Sequence, residues 1–186
     1  MLNMRCAPPF LNVLVAAVIC GIPAIAAAQV TADELLDRLG QPDLRNWNVV
    51  EQQLYTEWSR SGSATADYLL RVGRAALEAE DFDVAYNHLT ALTDHAPEFA
   101  EGWNTRATLF FEMGRYGPAI ADIQRTLALE PRHFGALTGL GFMLEEMGDT
   151  ENALAALRAA HAIHPHHPEI ESAIDRVERQ LDGRAL

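Results

Sequence analysis

A repeat with a period of 34 residues runs through most of this 186-residue chain. One unit of this length cannot bury its apolar surface alone, so neighbouring units must stack to build a continuous core. A Met-Gly pair, at Met113 and again at Met147, follows the same spacing. Five further columns recur: Pro97, Pro131 and Pro165; Ala85, Ala119 and Ala153; Leu89, Ile123 and Leu157; Gly73, Ala107 and Gly141; and Phe82, Tyr116 and Thr150.

The middle unit resembles the tetratricopeptide repeat (TPR). It spans residues 100–133 and reads AEGWNTRATLFFEMGRYGPAIADIQRTLALEPRH, with Trp103, Ala107, Ala119 and Pro131 at the positions that the family uses for packing and termination. The resemblance implies an all-α fold in which helix-turn-helix units build a right-handed superhelix. The departures from the family pattern are Leu92, Arg106, Thr126 and Thr150.

The resemblance places three repeats at residues 66–99, 100–133 and 134–167, with a segment on either side. Residues 168–186 carry apolar residues at helical spacing, which predicts a C-terminal capping helix. Residues 29–65 predict a helical cap that begins at a capping box, Thr31 to Glu34. Its second helix carries Trp47, Val50, Leu54 and Trp58, and we expect this pair of helices to pack on the first repeat.

The first 28 residues are typical of a signal peptide. An apolar run covers Phe10 to Gly21, and the small residues Ala26 to Ala28 fit a cleavage site directly before Gln29. We therefore expect the protein to be periplasmic or secreted, with no stable membrane insertion after cleavage. In this respect it resembles small exported bacterial proteins of the TPR family. The alternative is an uncleaved N-terminal membrane anchor, since residues 10–30 are about long enough to span a bilayer.

The composition excludes several function classes. The chain has no lysine, its two cysteines both lie in the first 28 residues, and none of its four serines sits in a G-x-S-x-G motif. We therefore expect a non-enzymatic protein without a cofactor. With 26 acidic and 14 basic residues, the net charge of −12 opposes nucleic-acid binding.

What the resemblance implies about function is a protein-interaction module, a scaffold or adaptor in the bacterial cell envelope. In the family, the first helices of the repeats line a concave groove that holds a peptide or a helix of another protein. The matching groove residues are Leu70, Arg74, Leu77, Glu78, Asn104, Thr108, Phe111, Glu112, Thr138, Phe142, Glu145 and Glu146.

The groove positions also predict the character of the partner. Glu78, Glu112 and Glu146 share one repeat position, and Phe111 and Phe142 lie beside them, which favours a basic and partly apolar partner segment. The alternative is that these acids only keep an acidic chain soluble. The family's clamp for acidic C-terminal peptides needs several cations, and Arg74 is the only cation at the matching positions of this chain.

Four histidines near the end of the third repeat suggest a second function class. His161, His164, His166 and His167 are close together in sequence, and imidazoles at such spacing can bind zinc, copper or nickel. The alternative function is therefore an envelope metal-binding protein. The competing interpretation is a helix C-terminus, where the helix dipole favours histidine, followed by a polar turn.

Overall fold

The computed structural model describes residues 30–184, and the predicted signal peptide, residues 1–28, lies outside the described residues. The described chain is all α-helical, as predicted, and none of its helices is long and apolar enough to cross a membrane. The nine helices are α1 (Ala32–Leu39), α2 (Trp47–Trp58), α3 (Ala64–Glu78), α4 (Phe82–His95), α5 (Ala100–Glu112), α6 (Tyr116–Leu129), α7 (Phe134–Glu146), α8 (Thr150–Ile163) and α9 (Pro168–Arg184).

Helices α3 to α8 form three antiparallel pairs, one for each repeat, and α9 follows at the position of the first helix of a fourth unit. The small-residue columns let the two helices of a pair approach closely. A Cβ atom added at Gly73 would lie 2.5 Å from Leu89 Cδ2, and one added at Gly141 would lie 2.6 Å from Leu157 Cγ. Since real Cβ atoms do not come so close, a larger residue at either position would force the leucine to move.

One departure from the family pattern is matched by its neighbour. Leu92 stands where a small residue is usual, and it is fully buried. It packs on Gly102 of the next repeat, where an added Cβ would lie 3.1 Å from Leu92 Cγ. The large residue on one repeat is thus accommodated by the missing side chain on the next.

Arg106, a second departure, replaces an apolar residue without leaving its charge unpaired. Its guanidinium binds Asp122 through two hydrogen bonds of 2.7 and 2.9 Å, and it donates to Thr93 Oγ1 at 2.7 Å. The guanidinium also lies 4.8 Å from the centre of the Trp103 ring, which is half-buried. A bidentate ion pair and ring stacking therefore take the place of apolar packing.

The N-terminal pair does not pack on the first repeat, and our expectation on this point is wrong. The apolar residues of α1 and α2 share one core with Phe134 of α7, Ala160 of α8 and Ile170 of α9. Arg132, in the turn before α7, forms ion pairs of 2.6 Å with Asp33 and Asp37 of α1. The chain therefore folds back, and α1 and α2 lie on the third repeat and α9.

The outer face of the first repeat explains this arrangement. Tyr68 is 52% exposed there, whereas Ala136 and Ile170, at the same position of later units, are fully buried by the preceding helices. Arg71 lies over the Tyr68 ring at 5.1 Å and covers it with a charged group. The face of α3 is thus polar enough to end the stack without a cap, while α7 and α9 offer larger apolar side chains to α2.

A chain of polar contacts joins α2 to the repeats at one buried carboxylate. Glu101, at the start of α5, is only 4% exposed; it accepts a hydrogen bond from Arg74 of α3 and lies 2.9 Å from His133 Nε2. The His133 ring in turn stacks on Trp58 of α2, with ring centres 4.1 Å apart. Ser59, next to Trp58, accepts a hydrogen bond of 2.9 Å from Arg74.

We expect the Glu101→Gln variant to lower the free energy of unfolding by about 2–4 kcal/mol, because it removes the charge that pairs with Arg74 inside the protein. Glu98→Gln is the matched control: Glu98 is largely exposed and pairs with Arg125 on the surface, so its loss should cost less than about 1 kcal/mol. Urea unfolding followed by circular dichroism measures both. Equal effects in the two variants would contradict a structural role for Glu101.

Candidate partner-binding channel

The first helix of each unit, α3, α5, α7 and α9, contributes to one continuous surface, which we call the inner face. Four depressions follow one another along it, and each shares lining residues with the next. All twelve residues predicted for the groove line at least one of these depressions. Leu70 differs from the rest, since its side chain is almost fully buried in the core of the first repeat.

Aromatic and acidic side chains lie close together near the C-terminal end of the inner face. Two adjoining cavities of about 280 and 620 Å³ lie there, and they share Phe111, Phe142 and Glu169. We call these two cavities together the channel. Its floor is aromatic, because Phe111 and Phe142 are half-buried between α5, α7 and α9.

Carboxylates outnumber cations in the channel. Glu112, Glu145, Glu146 and Glu169 line it, and Arg176 is its one guanidinium among the described residues. Arg176 donates hydrogen bonds of 2.8 and 2.7 Å to Glu145, and this contact holds the pKa of the Glu145 carboxyl below its usual value. The remaining three carboxylates are exposed, so the channel keeps an excess of negative charge.

Sequence reasoning missed the part of the channel that α9 supplies. Ser172, Arg176 and Gln180 line the larger cavity, and Gln180 donates a hydrogen bond of 2.9 Å to Glu145. The signal was present in the sequence, since Arg176 lies 34 residues after Phe142 and so occupies a groove position of a fourth unit. Residues 168–186 were expected to form only a capping helix, so their groove positions were not included in the predicted site.

Helix α2 closes one side of the channel. Tyr55 lines the smaller cavity, and a Cβ atom added at Gly135 would lie 3.8 Å from the Tyr55 hydroxyl. Burial raises the pKa of Tyr55 above its usual value, and the negative charges of Glu51 and Glu101 add to this effect. The hydroxyl is therefore neutral and can serve only as a hydrogen-bonding group.

Three of the four histidines near the third repeat, His164, His166 and His167, lie against the N-terminal pair. His164 is fully buried, and His164 and His167 lie 3.5 and 3.4 Å from Glu51 of α2. His166 Nε2 lies 2.7 Å from the carbonyl oxygen of Gln41, while His161 is half-buried on α8. Within residues 30–184, no group of three or more His, Cys, Asp or Glu side chains is placed to hold a metal ion.

Burial also fixes the charge state of His164. Its pKa is lowered to about 4, first by desolvation and then by the neighbouring imidazoles of His167, His166 and His161. The ring is therefore neutral near pH 7. It contacts Trp47 and Phe134 edge to face, with ring centres 5.5 and 4.9 Å apart. His164 thus acts as an aromatic packing residue between α2 and α7.

Comparison with known proteins agrees with the repeat fold. The family model of the tetratricopeptide repeat matches residues 70–116 and 104–168. A TPR repeat-containing protein of Rhizobium etli is 34% identical over 134 residues, which are 72% of this chain and 66% of that protein. The chain thus spans slightly less than two thirds of this relative's length.

Two solved structures show the same fold. The Sgt2 TPR domain from Aspergillus fumigatus has a TM-score of 0.63 and 18% identity, and the match covers 66% of this chain and 83% of that domain. The first TPR of Spaghetti (RPAP3), bound to the HSP90 peptide SRMEEVD, has a TM-score of 0.62 and 19% identity over 64% of this chain and 95% of that one. With the repeat columns, the helical pairs and the family model in agreement, this chain belongs to the tetratricopeptide repeat family.

Proposed function

We propose that this protein is a non-enzymatic scaffold or adaptor whose channel binds a cationic, partly apolar segment of another protein. The observation that carries the proposal is the pairing of Phe111 and Phe142 with exposed carboxylates on both sides, at Glu112, Glu146 and Glu169. Aromatic floors accept large apolar side chains, and the surrounding acids select a positively charged partner.

A contact within the chain supports this choice of ligand. The Arg176 guanidinium lies 5.9 Å from the centre of the Phe142 ring while it binds Glu145. The channel therefore already holds one cation between an aromatic face and a carboxylate. An arginine or lysine of a partner would find similar surroundings beside Phe111 and Glu112.

The same charges disfavour an acidic ligand such as SRMEEVD, which is bound to RPAP3 in the related structure. On the inner face of this chain, Arg74 is already bound by Glu101 and Ser59, and Arg176 is bound by Glu145. Each guanidinium therefore already has a carboxylate partner that offsets its positive charge, so neither strongly attracts a second carboxylate. We therefore expect the fold to be shared with these neighbours and the ligand charge to be opposite.

A pair of peptides that differ only in charge tests the proposal. One carries two phenylalanines and two lysines, and the other has glutamates in place of the lysines. We expect the lysine peptide to bind the purified protein and its affinity to fall with added salt. Measured by fluorescence anisotropy, the affinity for the lysine peptide should fall by at least about fivefold in each of the variants Phe142→Ala and Glu112→Arg.

Two variants outside the channel serve as controls. Tyr68→Ala removes an exposed aromatic ring from α3, and Glu151→Arg reverses an exposed charge on α8. Neither should change the affinity. Equal binding of the two peptides, tight binding of SRMEEVD, or equal losses in the channel and control variants would contradict the proposal.

We further propose that the protein acts in the periplasm or outside the cell, after removal of residues 1–28. The support is the apolar run followed by Ala26 to Ala28. Mass spectrometry of the protein from fractionated cells should find its N-terminus at or near Gln29. A chain that keeps Met1 in the membrane fraction would favour the anchor, and one that keeps it in the cytosol would contradict export.

A further inference from the structure

We propose that α1 and α2 form an intramolecular cover over the first turns of α7 and α9, and that this cover detaches as a unit while the repeats stay folded. The inference goes beyond the proposed function, because opening of the cover is a property of the protein without a ligand.

The contacts of α2 are those of an amphipathic helix bound in a groove. Val50, Leu54 and Trp58 follow one another at intervals of four residues, so they lie along one side of the helix. All three are buried, and they pack with Phe134 and Ile170 from the first turns of α7 and α9. The apolar side of α2 thus packs on α7 and α9 as an amphipathic helix of a separate protein packs in a hydrophobic groove.

Several polar atoms that are buried under α2 lack hydrogen-bond partners, which is unusual for a stable core. Among the described residues, six buried side-chain polar atoms have no hydrogen-bond partner, and four of them lie at this contact. They are Trp58 Nε1, both ring nitrogens of His164 and His167 Nδ1; the Glu51 carboxylate lies 3.5 Å from His164 Nε2 but forms no hydrogen bond with it. Each buried polar atom without a partner weakens the contact, whereas water would satisfy it once the cover opened.

The ion pairs of α1 on the surface also suit a part that can detach. Arg132 holds Asp33 and Asp37 on the surface, where both carboxylates are more than two-thirds exposed. Exposed ion pairs of this kind are weak. In the loop that joins α2 to α3, Ser61 donates hydrogen bonds of 2.8 and 2.6 Å to Asp67, so this end of the loop stays on the first repeat when α2 moves. Gly62, next to Ser61, has a φ of +78°, a conformation that glycine adopts readily.

Native-state hydrogen exchange tests the cover directly. In the wild-type protein, the amides of α1 and α2 should share an opening with a smaller dependence on urea than the global unfolding that exposes α7 and α8. The Asp37→Arg variant turns an ion pair with Arg132 into a repulsion, so exchange in α1 and α2 should become about three- to tenfold faster, with α7 unchanged.

Asp43→Arg is the matched control. Asp43 is exposed between α1 and α2, and the described structure gives it no ion-pair partner, so its reversal should leave exchange unchanged. The proposal is overturned if α1 and α2 exchange only through global unfolding in the wild type, or if Asp37→Arg and Asp43→Arg behave alike. Because these measurements use no ligand, they can fail while the peptide experiment succeeds, and the reverse also holds.

Discussion

The buried carboxylate of Glu101 is the contact on which the arrangement of the helices depends. It binds Arg74 of the first repeat and His133, the residue directly before α7, and His133 stacks on the ring of Trp58. Burying a charge is unfavourable unless it is paired, so the carboxylate requires both partners to be in place. Repeat stacking and the position of α2 are thereby linked through one residue of α5.

The repeat fold could be predicted because its signals are local and periodic. Glycine at positions 73 and 141 and leucine at positions 89 and 157 report the close approach of two helices within one unit. The path of α2 could not be predicted in the same way. It depends on contacts between residues about 75 to 125 apart, such as Trp58 with His133 and Gln41 with His166, and no repeat column records them.

The candidate site was predicted in part for the same reason. Phe111, Phe142 and the acids beside them occupy repeat positions, and the structure brings them onto one inner face. Charge balance was harder to predict, because Glu145 is paired with Arg176 of α9 and Glu101 is buried with Arg74. Of the acidic groove residues, those that remain exposed in the channel are therefore concentrated around its aromatic floor.

The folding back of α2 onto the third repeat is the central structural claim, and nuclear Overhauser spectroscopy tests it most directly. Cross-peaks between the indole protons of Trp58 and the imidazole protons of His133 are expected, because the ring centres lie 4.1 Å apart. Cross-peaks between Trp47 and His164 should accompany them. If Trp58 instead shows cross-peaks with the outer face of α3, near Tyr68, the N-terminal pair caps the first repeat and the claim is wrong.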